Sequence, residues 1–298
     1  MTTVPSERGD RAFNTVNTAF LALICVLVLY PLYFVIIASI SEPTLVNTGE
    51  VTFYPRQVSL LAYKTLLGYG DIWRGYANTI LYTALGTTIN LVLTLPAAYA
   101  LSRPDLRGRG LAMTLILFTM LFQGGLVPRY LVVRDLGMLD TMWAIVLPRA
   151  VLVVELVIAR TFFQATIPID FLDAARMEGS TNIGFFVRIA LPLAPALIAV
   201  EVIRYGVTHW NLFFDALIFL KAPEKFPLQL VLRNILIANQ LNASGLSAEN
   251  VTAAVEFQKI ADLIRYAVVV VGSLPFLMLY PFLQRFFVKG ILIGGLKG

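Results

Sequence analysis

The sequence predicts an all-α membrane protein with about six transmembrane helices. Three observations predict it. Of 298 residues, 58% are hydrophobic and only 14% are charged. Mean hydropathy is +0.78. Apolar windows of about 20 residues, the length a helix needs to cross a bilayer, alternate with charged or turn-rich segments. A water-soluble domain of this size has too little interior to hide so much apolar surface.

The N-terminal MTTVPSERGDRAFNTVNTAF is polar and lacks a small-residue cleavage site after the first apolar run. A retained first span over about 16–41 is therefore expected, with Cys25 as ordinary core. The remaining spans read as about 75–102, 111–127, 141–163, 191–220 and 261–283, within one transmembrane domain over 1–298. Pro31, Pro96, Pro195, Pro275 and Pro281 interrupt them. Membrane bundles tolerate such breaks because neighbouring helices re-satisfy the freed backbone groups. The single cysteine excludes an intrachain disulfide, and the single histidine, His209, excludes a histidine-based metal centre.

Placing both termini in the cytoplasm puts segments 1–15, 103–110, 160–190 and 284–298 inside. These hold eleven Lys and Arg, against nine in the longer outer segments 42–74, 128–140 and 221–260. Positive charge is denser inside, and SRPDLRGRG at 102–110 is the clearest single indicator.

The connection between spans four and five, about 168–190, is unusually punctuated: IPIDFLDAARMEGSTNIGFFVRIALPL. Residues 170–177 are good helix formers with an acidic first turn after Pro168, so they predict a short helix. Gly179 permits the left-handed backbone that ends it. A second short helix is expected to begin near Ser180 and Thr181 and to carry Phe185 and Phe186 toward the membrane. Two short helices joined at a glycine make a rigid knob.

This segment resembles the EAA loop of the permeases of ABC importers, E-A-A-x-x-D-G-A followed by a phenylalanine and L-P. The matching residues are Asp173, Ala174, Ala175, Glu178, Gly179, Ser180, Phe186, Leu191 and Pro192. Each carboxylate is exchanged for the other acidic type, and Ser180 replaces alanine, so charge and small size survive. NTILYTALGTTINLVLTLPAAYALSR, FQGGLVPRYLVVRDLGMLDTMWAIVLPRA, HWNLFFDALIFL, FPLQLVLR and FFVKGILIGGLKG extend the resemblance to maltose-type carbohydrate-uptake permeases over nearly the whole chain.

The resemblance implies an ABC-importer permease fold in a bacterial inner membrane, surrounded by lipid and contacting no nucleic acid. Its partners would be a sister permease, two ATP-binding subunits gripping the 168–190 loop, and an extracytoplasmic solute-binding protein. The chain would bind no cofactor; ATP and Mg would sit on the partner ATPases. No G-x-x-x-x-G-K-[ST] loop is present in the sequence, and the terminal glycine-rich stretch reads as a flexible end.

In the fifth span Glu201, Arg204, Thr208, Asn211 and Asp215 recur every three or four residues and predict one polar helical face. Charge in hydrocarbon costs about 2.5–3.5 kcal/mol on insertion scales, so that face should meet protein or water. It reads either as a sugar pathway or as a structural surface in which Glu201 pairs with Arg204. His209 and Trp210 lie beside it, the indole suited to stacking on a sugar or to anchoring at the membrane interface. A pair between Glu155 and Arg149 is expected in the fourth span.

Part of the 221–260 loop reads as an amphipathic helix. FQGGLVPRYL and THWN resemble the branch handling larger or acidic oligosaccharides, such as uronate oligomers. Two rivals remain. An ion-coupled secondary transporter could relay protons through Glu155, Glu201 and Asp215, but no internal repeat supports it. An integral-membrane enzyme on a lipid-linked substrate lacks a D-x-x-x-D pair or a metal-ligand cluster.

Overall fold

In a computed structural model, residues 8–122, 124–244, 262, 264–275 and 277–278 are described. Their regular structure is helical throughout. The terminal glycine-rich stretch and most of the polar part of the 221–260 loop lie outside the described residues. The described residues group into two compact units, one within 1–69 and 234–273 and the other within 70–233 and 274–298.

The first unit contains α1 (Arg8–Ser39), α2 (Pro43–Asn47), α3 (Leu61–Gly68) and a helix over Ile264–Pro275. Residues Phe13–Ser39 of α1 are long and apolar enough to cross a membrane, and Pro31 lies inside without ending the helix. Only its last turns are covered: Ile37 and Ala38 pack with Val46 and Val51, and Phe34 lies edge-on to Tyr266. Most of the rest is exposed leucine, valine and phenylalanine. Cys25 is exposed among them and is not core as expected, because no described residue of this unit covers that stretch of α1. Of the expected sixth span, only 262, 264–275 and 277–278 are described.

The second unit is organised by α4 (Gly70–Ser102), which also meets the length and apolarity a span needs. Its buried face runs Gly75, Thr79, Tyr82, Gly86, Asn90, Thr94, Ala98. Glycine, alanine, threonine and asparagine along one stripe let neighbouring helices approach closely and offer them hydrogen bonds. Against it lie α8 (Val153–Thr166) and α11 (Pro195–Trp210). The start of α13 (Leu228–Ser244) reaches it too: the Leu228 amide donates to Thr79 Oγ1 at 2.8 Å.

Three expected spans are interrupted. The third becomes α5 (Arg109–Leu121), followed at Gly125 by α6 (Leu126–Asp135), 113° away in direction. The fourth opens as α7 (Trp143–Val146) and a 3₁₀ turn over Leu147–Arg149 before α8 starts at Val153. Pro148 donates no backbone hydrogen bond, which suits a turn here. The fifth is α11, a break at Asn211–Phe213, then α12 (Phe214–Phe219).

Candidate functional site

The loop between α8 and α11 folds as a knob. α9 (Ile169–Met177) follows Pro168, whose extended backbone cannot continue a helix, and carries Asp170 in its first turn and Arg176 in its last. It ends as a Schellman turn: Gly179 adopts φ +79°, its N–H donates to Arg176 O, and the Ser180 N–H donates to Ala175 O, both at 2.9 Å. Thr181 then caps α10 (Asn182–Phe185), its Oγ1 accepting the Gly184 N–H at 3.0 Å. The two short helices and their glycine joint thus stand where the sequence predicts them.

Leu172, Ala175 and Phe185 are buried beneath the knob, packing with Tyr99 and Phe163 in one core. Tyr99 and Phe163 meet edge-on at 5.8 Å, and Phe186 lies 5.1 Å from Tyr99. Ala175 is the small residue that permits this contact; Ala174 points outward. Asp173, Glu178, Met177 and Ile183 form the exposed crest, Met177 being 90% exposed. Phe186–Ala190 widens into a π turn, and past Leu191, Pro192 and Pro195 the chain turns by 88° into α11.

One link is not visible in the loop's own sequence. Arg176 Nη2 reaches Asp105 Oδ2 at 2.8 Å, and Arg103 holds the same carboxylate at 2.9 Å. These hydrogen bonds, from Arg103 first and Arg176 second, hold the Asp105 carboxyl well below the usual carboxylate range. The arginine-rich turn is thereby strapped to α9.

The buried polar groups are arranged differently from expectation. Arg204 Nε bonds Glu155 Oε1 at 2.6 Å, while both oxygens of Glu201 are buried without a hydrogen-bond partner. Glu201 therefore does not pair with Arg204, nor Glu155 with Arg149. Arg149 instead forms an ion pair with Asp215 at 2.8 Å, and Arg129 donates a hydrogen bond to the other oxygen of that carboxylate at 2.6 Å. The break at Asn211–Phe213 takes Asp215 out of the α11 face, so the expected five-residue stripe is not continuous. Within α11, Thr208 donates to Arg204 O at 2.9 Å and Asn211 to Val207 O at 2.9 Å; both satisfy their own helix.

His209 and Trp210 are buried, not set at an open surface. His209 Nε2 lies 2.6 Å from Asn90 Oδ1, and the Asn90 amide donates to the carbonyls of Arg149 and Ala150. That leaves Oδ1 as the acceptor and Nε2 as the donor. Tyr205 bridges Thr94 at 2.7 Å and accepts the Leu152 N–H. Asn90, Thr94, Tyr205, Arg129 and Asp105 were not singled out from sequence. The three- and four-residue recurrence of small and polar residues in α4 marks Asn90 and Thr94; nothing local marks the others. Among the described residues no three His, Cys, Asp or Glu side chains converge to hold a metal ion.

On the face bearing the other loops, Asp140 adopts φ +57° and accepts the backbone N–H groups of Lys221 and Ala222. Lys225 reaches it at 2.8 Å. Lys225 foremost, then these N–H groups, holds its carboxyl well below the usual range.

No family model matches the sequence. The chain is 36% identical to Protein LplC of Bacillus subtilis (strain 168) over 297 residues, 99% of this chain and 98% of that protein. It is 37% identical to the polygalacturonan/rhamnogalacturonan transport system permease protein YtcP of the same strain over 292 residues, 97% and 99% of the respective chains. Its fold is similar to a chain of a bacterial ABC transporter involved in the import of the acidic polysaccharide alginate, with TM-score 0.82 and 33% identity over 96% of this chain and 100% of that one. These relatives support neither the ion-coupled carrier nor the lipid-linked enzyme. With such identity from end to end, in a helical chain with apolar spans, the protein belongs to the inner-membrane permease subunits of carbohydrate-uptake ABC importers.

Proposed function

We propose that this chain is one half of a heterodimeric permease that brings oligosaccharides, of the uronate-bearing type, into the cytoplasm at the expense of ATP hydrolysed by two partner subunits. The observation that carries the substrate class is the 37% identity, over 97% of this chain, to a permease named for polygalacturonan and rhamnogalacturonan transport. The structural neighbour named for alginate import agrees with it in the acidic character of the sugar. An extracytoplasmic binding protein delivers the saccharide, and ATP and Mg reside on the partner subunits. The chain works as a single transmembrane permease domain.

The α9–α10 knob is the surface that the ATPases grip. Asp173, Glu178, Met177 and Ile183 offer an exposed crest of charged and apolar groups, while Leu172, Ala175 and Phe185 transmit its movement into the core around Tyr99. In this reading both termini and the knob face the cytoplasm. On α11, Arg204 and Asn211 are exposed and Thr208 half-buried in the isolated chain, so these three face the pathway. Glu201, His209, Trp210 and Asp215 support it from behind.

The test is ATP-dependent uptake by the complete complex in proteoliposomes, with labelled oligogalacturonide and a neutral arabino-oligosaccharide as competing substrates. Import of the neutral sugar alone would end the uronate reading. Asp173→Cys and Gly179→Cys should resist a membrane-impermeant thiol reagent applied from outside; labelling there would remove the knob from the cytoplasm.

A further inference from the structure

The two ion-pair sites of the polar interior differ in stoichiometry. Glu155 is matched by one arginine, Arg204. Asp215 is held by two, Arg129 on one oxygen and Arg149 on the other. Neutralising a buried carboxylate takes one cation, and each further charge drawn partly out of water carries its own desolvation cost. The second arginine is therefore in excess of what Asp215 needs.

The placement of the three groups shows where that excess charge is directed. Asp215 is only 2% exposed, whereas the side chains of Arg129 and Arg149 are 29% and 35% exposed. The anion lies behind and the cations in front. Arg129 is also the one charged side chain among the described residues lining a cavity whose wall includes Phe122, Gly125, Leu147, Pro148 and Phe214. Its guanidinium carbon sits 5.5 Å from the centre of the Phe219 ring, a cation–π contact that adds to its hold. Nη2 is committed to Asp215, and Nε is buried without a hydrogen-bond partner, so the donors left to face the cavity are those of Nη1 and the second hydrogen of Nη2. A guanidinium carries five N–H donors, and these three leave the outer edge of the fork unspent.

We propose that Arg129, oriented by Asp215 and relieved of sole duty to it by Arg149, is the specificity residue that receives the carboxylate of an acidic saccharide in this cavity. A fixed guanidinium with unspent donors matches a carboxylate in shape and charge, and the surrounding aromatic and apolar wall suits a sugar face. Because the cation is already held in place, less ordering entropy is lost on binding. The inference rests on the uronate reading above, and it adds a residue and a cavity to it.

The experiment uses the assembled transporter in proteoliposomes with its binding protein, and compares uptake of trigalacturonate with that of its methyl ester. Any preference of the binding protein cancels between permease variants. Arg129→Gln should lower the acid-to-ester uptake ratio about tenfold, the loss expected for one charge-assisted hydrogen bond, while Arg149 keeps Asp215 paired and the complex assembled. Arg129→Lys, which keeps the charge but loses the fork, should fall between. An unchanged ratio in both variants, or equal loss of both substrates, overturns the proposal in favour of a pin that merely closes the α11–α12 break. Failure of both variants to assemble does the same. A wild-type complex that takes up only the ester refutes the substrate reading itself, and that result is read from the wild-type arm alone.

Discussion

The imidazole of His209 stands where a side chain on Gly86 would have to go. A β-carbon at residue 86 would lie 2.5 Å from both Cε1 and Nε2 of that ring. The ring has nowhere to move, being 1% exposed and held by Asn90. α4 and α11 thus cross at a separation that glycine alone allows. Gly86→Ala is expected to destabilise the chain by about 1–3 kcal/mol through overpacking, read as a lower thermal unfolding midpoint of the purified protein. Gly110, with nothing within 4 Å of the same position, is the matched control. Equal midpoints for the two variants would contradict the crossing described here.

The strap between Asp105 and Arg176 predicts a pH dependence. The folded carboxyl is held below its ordinary value of 3.8 by Arg103 and then Arg176. A lowered folded pKa means that the group stabilises above the unfolded value and that this is lost as pH falls from about 4 through the folded value. Between pH 5 and 8 the strap should be constant, and below about pH 4 it should progressively weaken. Asp105→Asn should mimic the acidic state at neutral pH. The readout is the distance between spin labels on α9 and on the 103–108 turn; identical distance distributions for wild type and variant at pH 7 would exclude a strap. Asp105 is nearly half exposed, so the effect is on position more than on global stability.

Gly179 has open space around it, yet its φ of +79° belongs to the left-handed region. Alanine there costs on the order of 1–2 kcal/mol and asparagine less. Gly179→Ala should reduce co-purification of the ATPase subunits severalfold, Gly179→Asn should reduce it less, and Gly179→Pro should abolish it. Wild-type association in all three would show that the turn does not present the knob.

Glu155 and Arg204 form a pair whose acid side chain is 4% exposed and whose arginine is 49% exposed. Removing the arginine strands a buried carboxylate beside the unpartnered Glu201. Arg204→Gln is expected to cost about 2 kcal/mol, less than the 3–5 of a wholly buried pair because the guanidinium is half in the open. The double variant Glu155→Gln with Arg204→Gln should recover at least half of that loss. Thermal midpoints of the single and double variants decide it; a double variant worse than the single would mean that the pair does not couple.

The knob was legible from the chain because its determinants are local. Pro168 ahead of α9, Gly179 after it and Thr181 before α10 act over three or four residues, and helix ends are decided at that range. The two unbroken apolar helices α1 and α4 were legible for a similar reason, since a bilayer selects on length and apolarity alone. The fourth and fifth spans were read as continuous, and the structure corrects this. Pro148 and the Asn211–Phe213 segment interrupt them; proline and single polar residues such as Arg149, His209 and Asn211 also occur inside continuous membrane helices, so the dip in hydropathy beside each break does not by itself end a span.

Composition and local pattern by themselves determined that the chain is a helical membrane protein, that two short helices meet at a glycine between α8 and α11, and that charged residues are sunk in its apolar helices. Only the tertiary structure decided which charge meets which. Glu155 finds Arg204 forty-nine residues away and Asp215 finds Arg129 eighty-six away, whereas helical spacing proposes partners three or four residues apart. The physical reason is that a buried charge is matched by whatever the neighbouring helix presents at the same depth, and that depends on where each helix breaks and on where Gly86 lets two of them touch.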